Sequence, residues 1–97
     1  MPAYLVGSIT VTDPLGYEEY RAKVPAVLAA HGGRYVVRGG EMKVLEGDWP
    51  VSRTVVLEFP DMGRLMNFYE SADYAPLLAI RKRTSVSKLI AVEGYVP

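Results

Sequence analysis

Alternating apolar and polar positions at the start of the chain predict a β-strand from Ala3 to Thr12. A period of two residues is that of an extended chain, in which successive side chains point to opposite sides. One side carries Leu5, Ile9 and Val11, and the other carries Tyr4, Val6, Ser8, Thr10 and Thr12. The second side mixes apolar and polar residues, so we do not expect it to face water alone.

A spacing of three and four residues then predicts a helix that starts at Asp13-Pro14 and ends at Gly32-Gly33. Aspartate before proline is a favoured helix start, and glycine is a favoured helix end. Pro25 lacks an N–H and its ring crowds the carbonyl of Arg21, which predicts a kink around Ala22. The apolar stripe of this helix consists of Tyr17, Tyr20, Val24, Val27, Leu28 and His31.

Two strands and a connecting segment follow. Arg34–Arg38 and Arg53–Phe59 are predicted to form a hairpin, with a bulge or sharp bend at Gly39-Gly40. Met42–Leu45 is predicted to extend the pairing, and 47–50, which reads GDWP, is predicted to turn the chain.

Two helical segments and a last strand complete the pattern. Asp61 is predicted to cap a helix that reaches about Glu70, and Ser71-Ala72-Asp73 to cap a shorter one. One face of the shorter helix carries Tyr74, Leu77, Leu78 and Arg81. The last strand is predicted from about Ser85 to Tyr95.

The order βαββαβ predicts one α+β domain over residues 1–97 with a ferredoxin-like fold, in which the helices cover one face of a four-stranded antiparallel sheet. If the more aliphatic side of each strand faces the helices, the uncovered side carries Tyr4, Val6, Ser8, Val36, Arg38, Thr54, Val56, Glu58, Leu89, Ala91 and Glu93. Val6, Val36, Val56 and Leu89 would form an apolar floor, which predicts a homodimer that pairs sheet to sheet. The alternative is a monomer whose last strand or long hairpin folds over this face.

The charge balance argues against a nucleic-acid partner, because 11 Lys and Arg residues are matched by 11 Asp and Glu residues. The basic run Arg81-Lys82-Arg83 falls at a predicted helix end, where cations meet the negative end of the helix dipole. The chain has no cysteine, which excludes disulfides and thiolate metal sites. No apolar run approaches the ~20 residues that span a bilayer. We therefore expect a cytoplasmic protein without a membrane segment, metal site or bound cofactor.

Four segments resemble a bacterial family known only as domain of unknown function 1330, within the dimeric α/β-barrel group. They are 31–40 (HGGRYVVRGG), 53–60 (RTVVLEFP), 68–74 (FYESADY, followed by Arg81) and 90–94 (IAVEG). Pro25 and Gly63, both within predicted helices, depart from the family's pattern. The resemblance implies the fold and a homodimer. Relatives on this scaffold include cofactor-free monooxygenases, isomerases of small cyclic acids, haem-binding enzymes and ligand-sensing domains, so the activity stays open.

Arg38 and Glu58 are the first candidate site residues. Both are predicted on the uncovered side of adjacent hairpin strands, where an enclosed charge is costly unless it is paired. Either they pair with each other, or Arg38 holds a substrate carboxylate or enolate while Glu58 moves protons. Tyr4 and Ser8, on the same predicted side, are further candidate ligand contacts.

His31 is a candidate base because histidine is the side chain that changes protonation nearest to neutral pH. It is the only histidine in the chain. The alternatives are a helix-end histidine that interacts with the last carbonyls, and an axial ligand of haem. Pro2 would become a terminal secondary amine if Met1 were removed, and such an amine can act as a base in tautomerase-like enzymes.

Tyr74 and Arg81 lie on one predicted helix face, which carries the arginine into partly apolar surroundings. A buried arginine needs a carboxylate, for which Glu93 and Asp73 are the candidates, or a ligand. Tyr74, Arg81 and Glu93 therefore complete the predicted set of ligand contacts.

These residues leave three functions open. The first is a cofactor-free enzyme that acts by proton transfer or oxygenation on a small anionic or enolisable metabolite, with Arg38 holding the anion and His31 or Glu58 as base. The second is a non-catalytic ligand-binding or stress-associated dimer. In the third, the polar residues only specify the dimer interface and the pocket is filled.

Overall fold

The structure is a computed structural model, and it describes residues 1–49 and 52–97. The elements within these ranges are β1 (Ala3–Val11), α1 (Pro14–Ala30), β2 (Arg34–Arg38), β3 (Arg53–Phe59), α2 (Met62–Tyr69), α3 (Ala75–Thr84) and β4 (Ser85–Glu93). The predicted order is confirmed, with the second helical region divided into α2 and α3. The predicted turn at 47–50 ends on Pro50, which lies outside the described residues.

The four strands form one antiparallel sheet in the order β2-β3-β1-β4. Burial alternates along β1 and β3, because the helices cover only one face of this sheet. The core between the helices and the sheet contains Ala3, Leu5, Ile9, Tyr17, Tyr20, Val24, Leu28, Val55, Leu57, Phe59, Leu65, Phe68, Tyr74, Leu77 and Ile80. The predicted ferredoxin-like α+β fold is confirmed.

Two helices begin where an aspartate was predicted to cap them. The Asp13 side chain accepts a hydrogen bond from the Gly16 N–H at 3.2 Å, and Asp61 accepts one from the Arg64 N–H at 2.8 Å. Each bond satisfies an N–H that has no partner within its helix. These two caps fix the ends of α1 and α2 that follow β1 and β3.

The start of α3 differs from the prediction. Ser71 donates to the carbonyl of Phe68 and accepts from the Tyr74 N–H, so it stabilises the turn between the helices. The helix itself begins at Ala75, with a proline in its first turn. It passes directly into β4, where the Thr84 carbonyl accepts from the N–H groups of Thr12 and Asp13 and ties this junction to the start of α1.

The predicted extension of the hairpin at Met42–Leu45 is wrong, since residues 41–45 form no strand. Gly39 has a φ of +64°, which turns the chain out of β2 immediately after Arg38. The pairing of β2 with β3 therefore ends there.

The bulge in β2 lies earlier than the predicted position at Gly39-Gly40. Tyr35 faces Leu57 and Val37 faces Val56, so Val36 is an extra residue in the ladder. An extra residue reverses the alternation of all residues that follow it. Consequently Val37, rather than Val36, lies on the uncovered face, and Arg38 lies on the helix side opposite Val55.

The predicted faces of β4 are also wrong. Gly7 faces Leu89, Leu5 faces Ala91 and Ala3 faces Glu93, which places Leu89, Ala91 and Glu93 on the helix side. The uncovered side of β4 carries instead Val86, Lys88, Ile90 and Val92. Both sides of this edge strand hold apolar residues, so choosing the more aliphatic side gave the wrong face.

The uncovered face of the sheet, by which we mean the side away from the helices, has an aliphatic row across all four strands. Val37, Val56, Val6 and Ile90 face one another in sequence from β2 to β4. Val6 and Val56 confirm the predicted floor, while Val37 and Ile90 replace Val36 and Leu89.

Within the described ranges, no helix is long and apolar enough to span a membrane.

Candidate ligand-binding site

Gly7 lets the side chains of the two neighbouring strands approach each other at the centre of the sheet. It lies midway along β1, between Val55 and Leu89, and has no side chain to fill the helix side. A Cβ at this position would lie 3.1 Å from Val55 Cγ2 and 3.4 Å from Leu89 Cγ, so those side chains already lean into the space. A glycine inside a strand often marks the close approach of a ligand or another chain.

The cavity lies between α1 and the helix side of the sheet and has a volume of about 20 Å³. This is room for about one water molecule. Its apolar lining consists of Leu5, Ile9, Val24, Val55, Leu57 and Leu89, and its polar lining consists of Tyr17, Tyr20, Arg21, Tyr35, Arg38, Arg53 and Tyr74. We call this space the arginine–tyrosine cavity. No carboxylate is present among these described lining residues, so the lining carries a net positive charge.

Pro25 determines where Arg38 lies. Because proline has no N–H, the carbonyl of Arg21 has no donor four residues on. Arg38 Nη2 donates to this carbonyl at 3.0 Å, and its guanidinium lies 4.5 Å from the centre of the Tyr35 ring. Arg38 thus bridges β2 and α1 across the mouth of the cavity. The predicted kink around Ala22 stays a prediction, while α1 continues from Pro14 to Ala30.

Arg53 reaches the cavity from the first position of β3. It lies against Gly39, where a Cβ would lie 2.9 Å from Arg53 Cγ and 3.0 Å from Cζ, so only a glycine leaves space for this guanidinium. Its Nε atom is buried and has no hydrogen-bond partner among the described residues. A buried donor without a partner costs free energy, which an acceptor from a ligand would recover.

Three tyrosines form the inner wall of the cavity. The hydroxyls of Tyr20 and Tyr74 are 2.8 Å apart and buried, and the rings of Tyr17 and Tyr20 lie 5.3 Å apart. Burial raises the pKa of Tyr17, and the charges of Arg53, Arg81 and Arg38 oppose that increase. Tyr17 is therefore a neutral hydroxyl in a positive field, suited to donating a hydrogen bond to an anion.

Arg81 is buried beside this wall with an exposed fraction of 2%. Its Nε donates to the Tyr74 hydroxyl at 3.4 Å, rather than to Glu93 or Asp73 as predicted. Asp73 instead lies 3.5 Å from His31 Nε2. Glu93 lies at the far end of β4, opposite Ala3.

Glu58, Tyr4 and Arg34 form a polar group on the opposite face of the sheet. The Tyr4 hydroxyl donates to Glu58 at 2.9 Å, and Arg34 donates to the same carboxylate through Nε and Nη2, each at 2.7 Å. These two donors lower the pKa of Glu58, and the bond to the carboxylate raises the pKa of Tyr4. The predicted pairing of Glu58 with Arg38 is wrong in its partner, because the bulge turns Arg38 to the helix side, whereas Arg34 lies before the bulge and faces Glu58.

The other predicted site residues lie apart from the cavity. The Ser8 hydroxyl bonds that of Ser52 on the uncovered face at 2.5 Å. His31 is at the end of α1, edge-on to Phe68. The Pro2 carbonyl, just before the start of β1, accepts from the Gly94 N–H. Within the described ranges, no group of three or more His, Cys, Asp or Glu residues could hold a metal ion.

The structure therefore brings two predicted site residues, Arg38 and Tyr74, together at the cavity, with Arg81 adjoining them. It joins two others, Tyr4 and Glu58, on the opposite face of the sheet. Sequence reasoning missed Arg53 as a site residue, although it shares a side of β3 with Val55 and Leu57 and so had to point toward the core. Tyr17 and Tyr20 were assigned to the core stripe alone. Their hydroxyls, which an apolar core would leave without partners, were the available signal.

The chain matches a family described as a domain of unknown function (DUF1330) over residues 2–95. The chain belongs to this family. A comparison with functionally curated proteins gives no match.

Solved structures with the same fold include proteins of known and unknown activity. The protein RPA0582 of Rhodopseudomonas palustris, of unknown function, has 18% identity and a TM-score of 0.78 over 99% of this chain and 84% of its own. SnoaB of Streptomyces nogalater, a cofactor-independent oxygenase, has 15% identity and a TM-score of 0.66 over 99% of this chain and 95% of its own. HapK of Hahella chejuensis has 16% identity and a TM-score of 0.62 over 98% of both chains. These similarities support the α+β fold of the chain.

Proposed function

We propose that this protein is a homodimeric, cofactor-independent enzyme that binds a small planar organic anion in the arginine–tyrosine cavity and stabilises its enolate. The charge of the cavity lining carries the proposal. Arg21, Arg38 and Arg53 line one space that has no carboxylate among its described lining residues. Arg21 has an exposed partner outside this space, Glu18 at 3.6 Å, whereas none of the ion pairs in the described part of the chain includes Arg38 or Arg53. Like charges gathered in this way favour an anion, and a planar guanidinium suits a carboxylate or enolate oxygen.

Arg53 would be the primary contact. Its buried Nε–H lacks an acceptor, so an oxygen of the ligand would gain a charge-assisted hydrogen bond without displacing an existing one. The Tyr17 hydroxyl would donate to a second oxygen. The tyrosine rings and the aliphatic floor would hold the planar part of the ligand.

The lining offers no carboxylate or imidazole as a base within the described residues, and this restricts the chemistry. Nearby guanidinium groups favour the charged form of a bound enol and so lower its pKa. The proton can then leave to water, and the cavity needs only to hold the resulting enolate. An electron-rich enolate can react with molecular oxygen, and the likeness to a cofactor-independent oxygenase supports oxygen as the second substrate.

Arg38 and Arg21 would have to move for a ligand to enter. Both are exposed at the rim, whereas the tyrosines behind them are buried or half-buried. The present volume of about 20 Å³ holds about one water-sized group, so the space for a ring comes from displacement of this rim. Arg38 would exchange its hydrogen bond to the Arg21 carbonyl for one to the ligand.

The homodimer would form through the uncovered face. Val86, Ile90 and Val92 on this face are 66%, 63% and 45% exposed. Together with the aliphatic row they make a patch that is too apolar for water, and a two-fold pairing of identical faces covers it. The arginine–tyrosine cavity lies on the other side of the sheet and stays accessible in such a dimer.

Native mass spectrometry followed by calorimetric titration tests this proposal. We expect the mass of a dimer, saturable binding of salicylate, and much weaker binding of the neutral salicylamide. Arg53→Met should weaken salicylate binding at least about tenfold, the effect of losing one charged hydrogen bond. Arg64→Met, which removes an exposed arginine of α2, is the matched control and should bind like the wild type.

Catalysis is tested with acetylacetone, whose enolate absorbs in the ultraviolet. A bound-enolate absorbance at neutral pH, together with oxygen uptake, supports the enzyme. Saturable binding without either signal supports the non-catalytic ligand-binding alternative. Equal salicylate affinities of the wild type and Arg53→Met would refute the assigned site.

A further inference from the structure

Arg81 is a buried cation without a counter-ion. It lies in the last turn of α3 and is 2% exposed. None of the ion pairs in the described part of the chain includes it. Taking a guanidinium out of water costs several kcal/mol unless an anion or a full set of hydrogen bonds compensates.

The neighbours of Arg81 compensate only in part. Its Nε–H reaches the Tyr74 hydroxyl at 3.4 Å, a long bond that is itself shared with Tyr20. Burial disfavours the charged guanidinium, but the hydroxyls of Tyr74, Tyr20 and Tyr69 outweigh this effect and raise the pKa of Arg81. The side chain is therefore charged at neutral pH and surrounded by neutral hydroxyls.

A polar groove that Arg81 helps to line opens at the β4 edge of the sheet. It has a volume of about 240 Å³, and its lining consists of Tyr69, Arg81, Lys82, Ser85, Ser87 and Leu89. No acidic residue is present among these described residues. The groove lies on the helix side, away from the uncovered face that the dimer would use.

The hydrogen bonds of the two serines make one hydroxyl available. Ser85 donates to the carbonyl of Arg81 at 2.5 Å, so its single proton is already used. In the Ser85–Ser87 contact of 2.9 Å, Ser87 must then be the donor. An anion in the groove can replace Ser85 as the acceptor for Ser87, at no cost to the bond that fixes Arg81.

We infer that Arg81, Lys82 and Ser87 form a second anion site, which binds a phosphate group. A planar carboxylate could be satisfied by the guanidinium alone, whereas donors from a guanidinium, an ammonium and a hydroxyl on different sides of a groove suit the several oxygens of a tetrahedral oxyanion. The phosphate supplies the negative counter-charge that Arg81 lacks. Ser85 donates to the backbone carbonyl of Arg81 and is not one of the proposed ligand contacts.

Titration with inorganic phosphate tests this site. Binding is measured by calorimetry, and the melting temperature is measured with and without about 10 mM phosphate. Saturable binding is expected in the wild type. Ser87→Ala should weaken it about fivefold, the effect of one hydrogen bond. Lys82→Met should weaken it about two- to fivefold, as for a solvent-exposed ion pair. Arg83→Met, which removes an exposed cation one residue away, should bind like the wild type.

Arg53→Met separates this site from the arginine–tyrosine cavity, because it should leave phosphate binding unchanged. An equal loss in Arg83→Met and Lys82→Met would show only a general effect of charge and would overturn the assignment. Absence of saturable binding, or binding that Ser87→Ala and Lys82→Met leave intact, would also overturn it.

Arg81→Met provides a readout that does not depend on binding strength. Replacing an unpaired buried charge by an apolar side chain of similar length is neutral or stabilising. In phosphate-free buffer the variant should therefore melt at or above the wild-type temperature, and phosphate should raise the melting temperature of the wild type alone. A phosphate-dependent increase in this variant equal to that of the wild type would contradict the site.

Discussion

Tyr20 should make the protein sensitive to alkali, and the reason lies in its burial. The side chain is 8% exposed and its hydroxyl bonds that of Tyr74 at 2.8 Å. Burial, followed by the proximity of Tyr74, raises the pKa of Tyr20 far above its ordinary value of 10.0. The unfolded chain keeps a phenol that ionises near pH 10, so above that pH the unfolded state loses a proton that the folded state retains. The stability that Tyr20 contributes is thus fully present below pH 10 and is lost as the pH rises.

The magnitude follows from this difference in bound protons. Each pH unit above 10 removes about 1.4 kcal/mol per fully suppressed ionisation, so the loss is about 2 kcal/mol at a pH of about 11.5. Tyr20→Phe abolishes this loss, but at neutral pH it sacrifices a buried hydrogen bond worth about 1 kcal/mol. The variant should be less stable than the wild type at pH 7 by about 1 kcal/mol and more stable by a similar amount at a pH of about 11.5.

Urea denaturation followed by circular dichroism, repeated across this pH range, measures the free energy of unfolding of both proteins. Tyr17 and Tyr35, whose pKa values burial also raises, contribute equally to both proteins and cancel in the difference. Tyr95→Phe alters an 86% exposed tyrosine and should show no such crossover. If the difference between Tyr20→Phe and the wild type stays constant from pH 9 to about pH 12, the assignment of a suppressed ionisation is wrong.

Two backbone substitutions test the packing around the site. Gly33→Ala would place a Cβ 2.7 and 2.8 Å from ring atoms of Phe59, so we expect a destabilisation of about 2 kcal/mol, seen as a lower melting temperature. Gly40→Ala is the control, because a Cβ there meets no heavy atom within 4 Å and should change little. Equal melting temperatures of the two variants would contradict this account. Pro25→Ala restores a helical N–H for the Arg21 carbonyl, so the free energy of unfolding measured in urea should rise by about 1 kcal/mol, after subtraction of the rigidity that proline gives the unfolded chain. A decrease would show that a proline inside this helix carries no net cost.

The fold was predictable because its central elements carry unambiguous local signals. One side of β1 and one side of β3 are predominantly apolar, and Asp13 and Asp61 precede their helices at the capping position. The edge strands lack such signals. Val36 and Val37 are interchangeable in hydropathy, so nothing in the sequence marks which of them leaves the ladder, and β4 has apolar residues on both sides.

The candidate site depended on those same ambiguities. Arg38 was predicted on the uncovered face beside Glu58, but the bulge turns it to the helix side, and Glu58 pairs with Arg34, which lies before the bulge. The sequence could not show that Arg81 is buried without a counter-ion, because its burial depends on long-range packing and local periodicity reports only neighbours along the chain. Arg53 could have been identified from the alternation of β3 alone.

The extra residue at Val36 has a consequence for how relatives of this protein are compared. A gapless alignment assumes that residues in one column point the same way, yet formation or loss of the bulge would reverse the direction of every residue that follows it, including the second arginine of this strand. Two homologues could then share every letter of the strand while one presents its second arginine to a small molecule and the other presents it to a second subunit. Functional inheritance across such a pair should therefore follow the hydrogen-bond ladder and not the column.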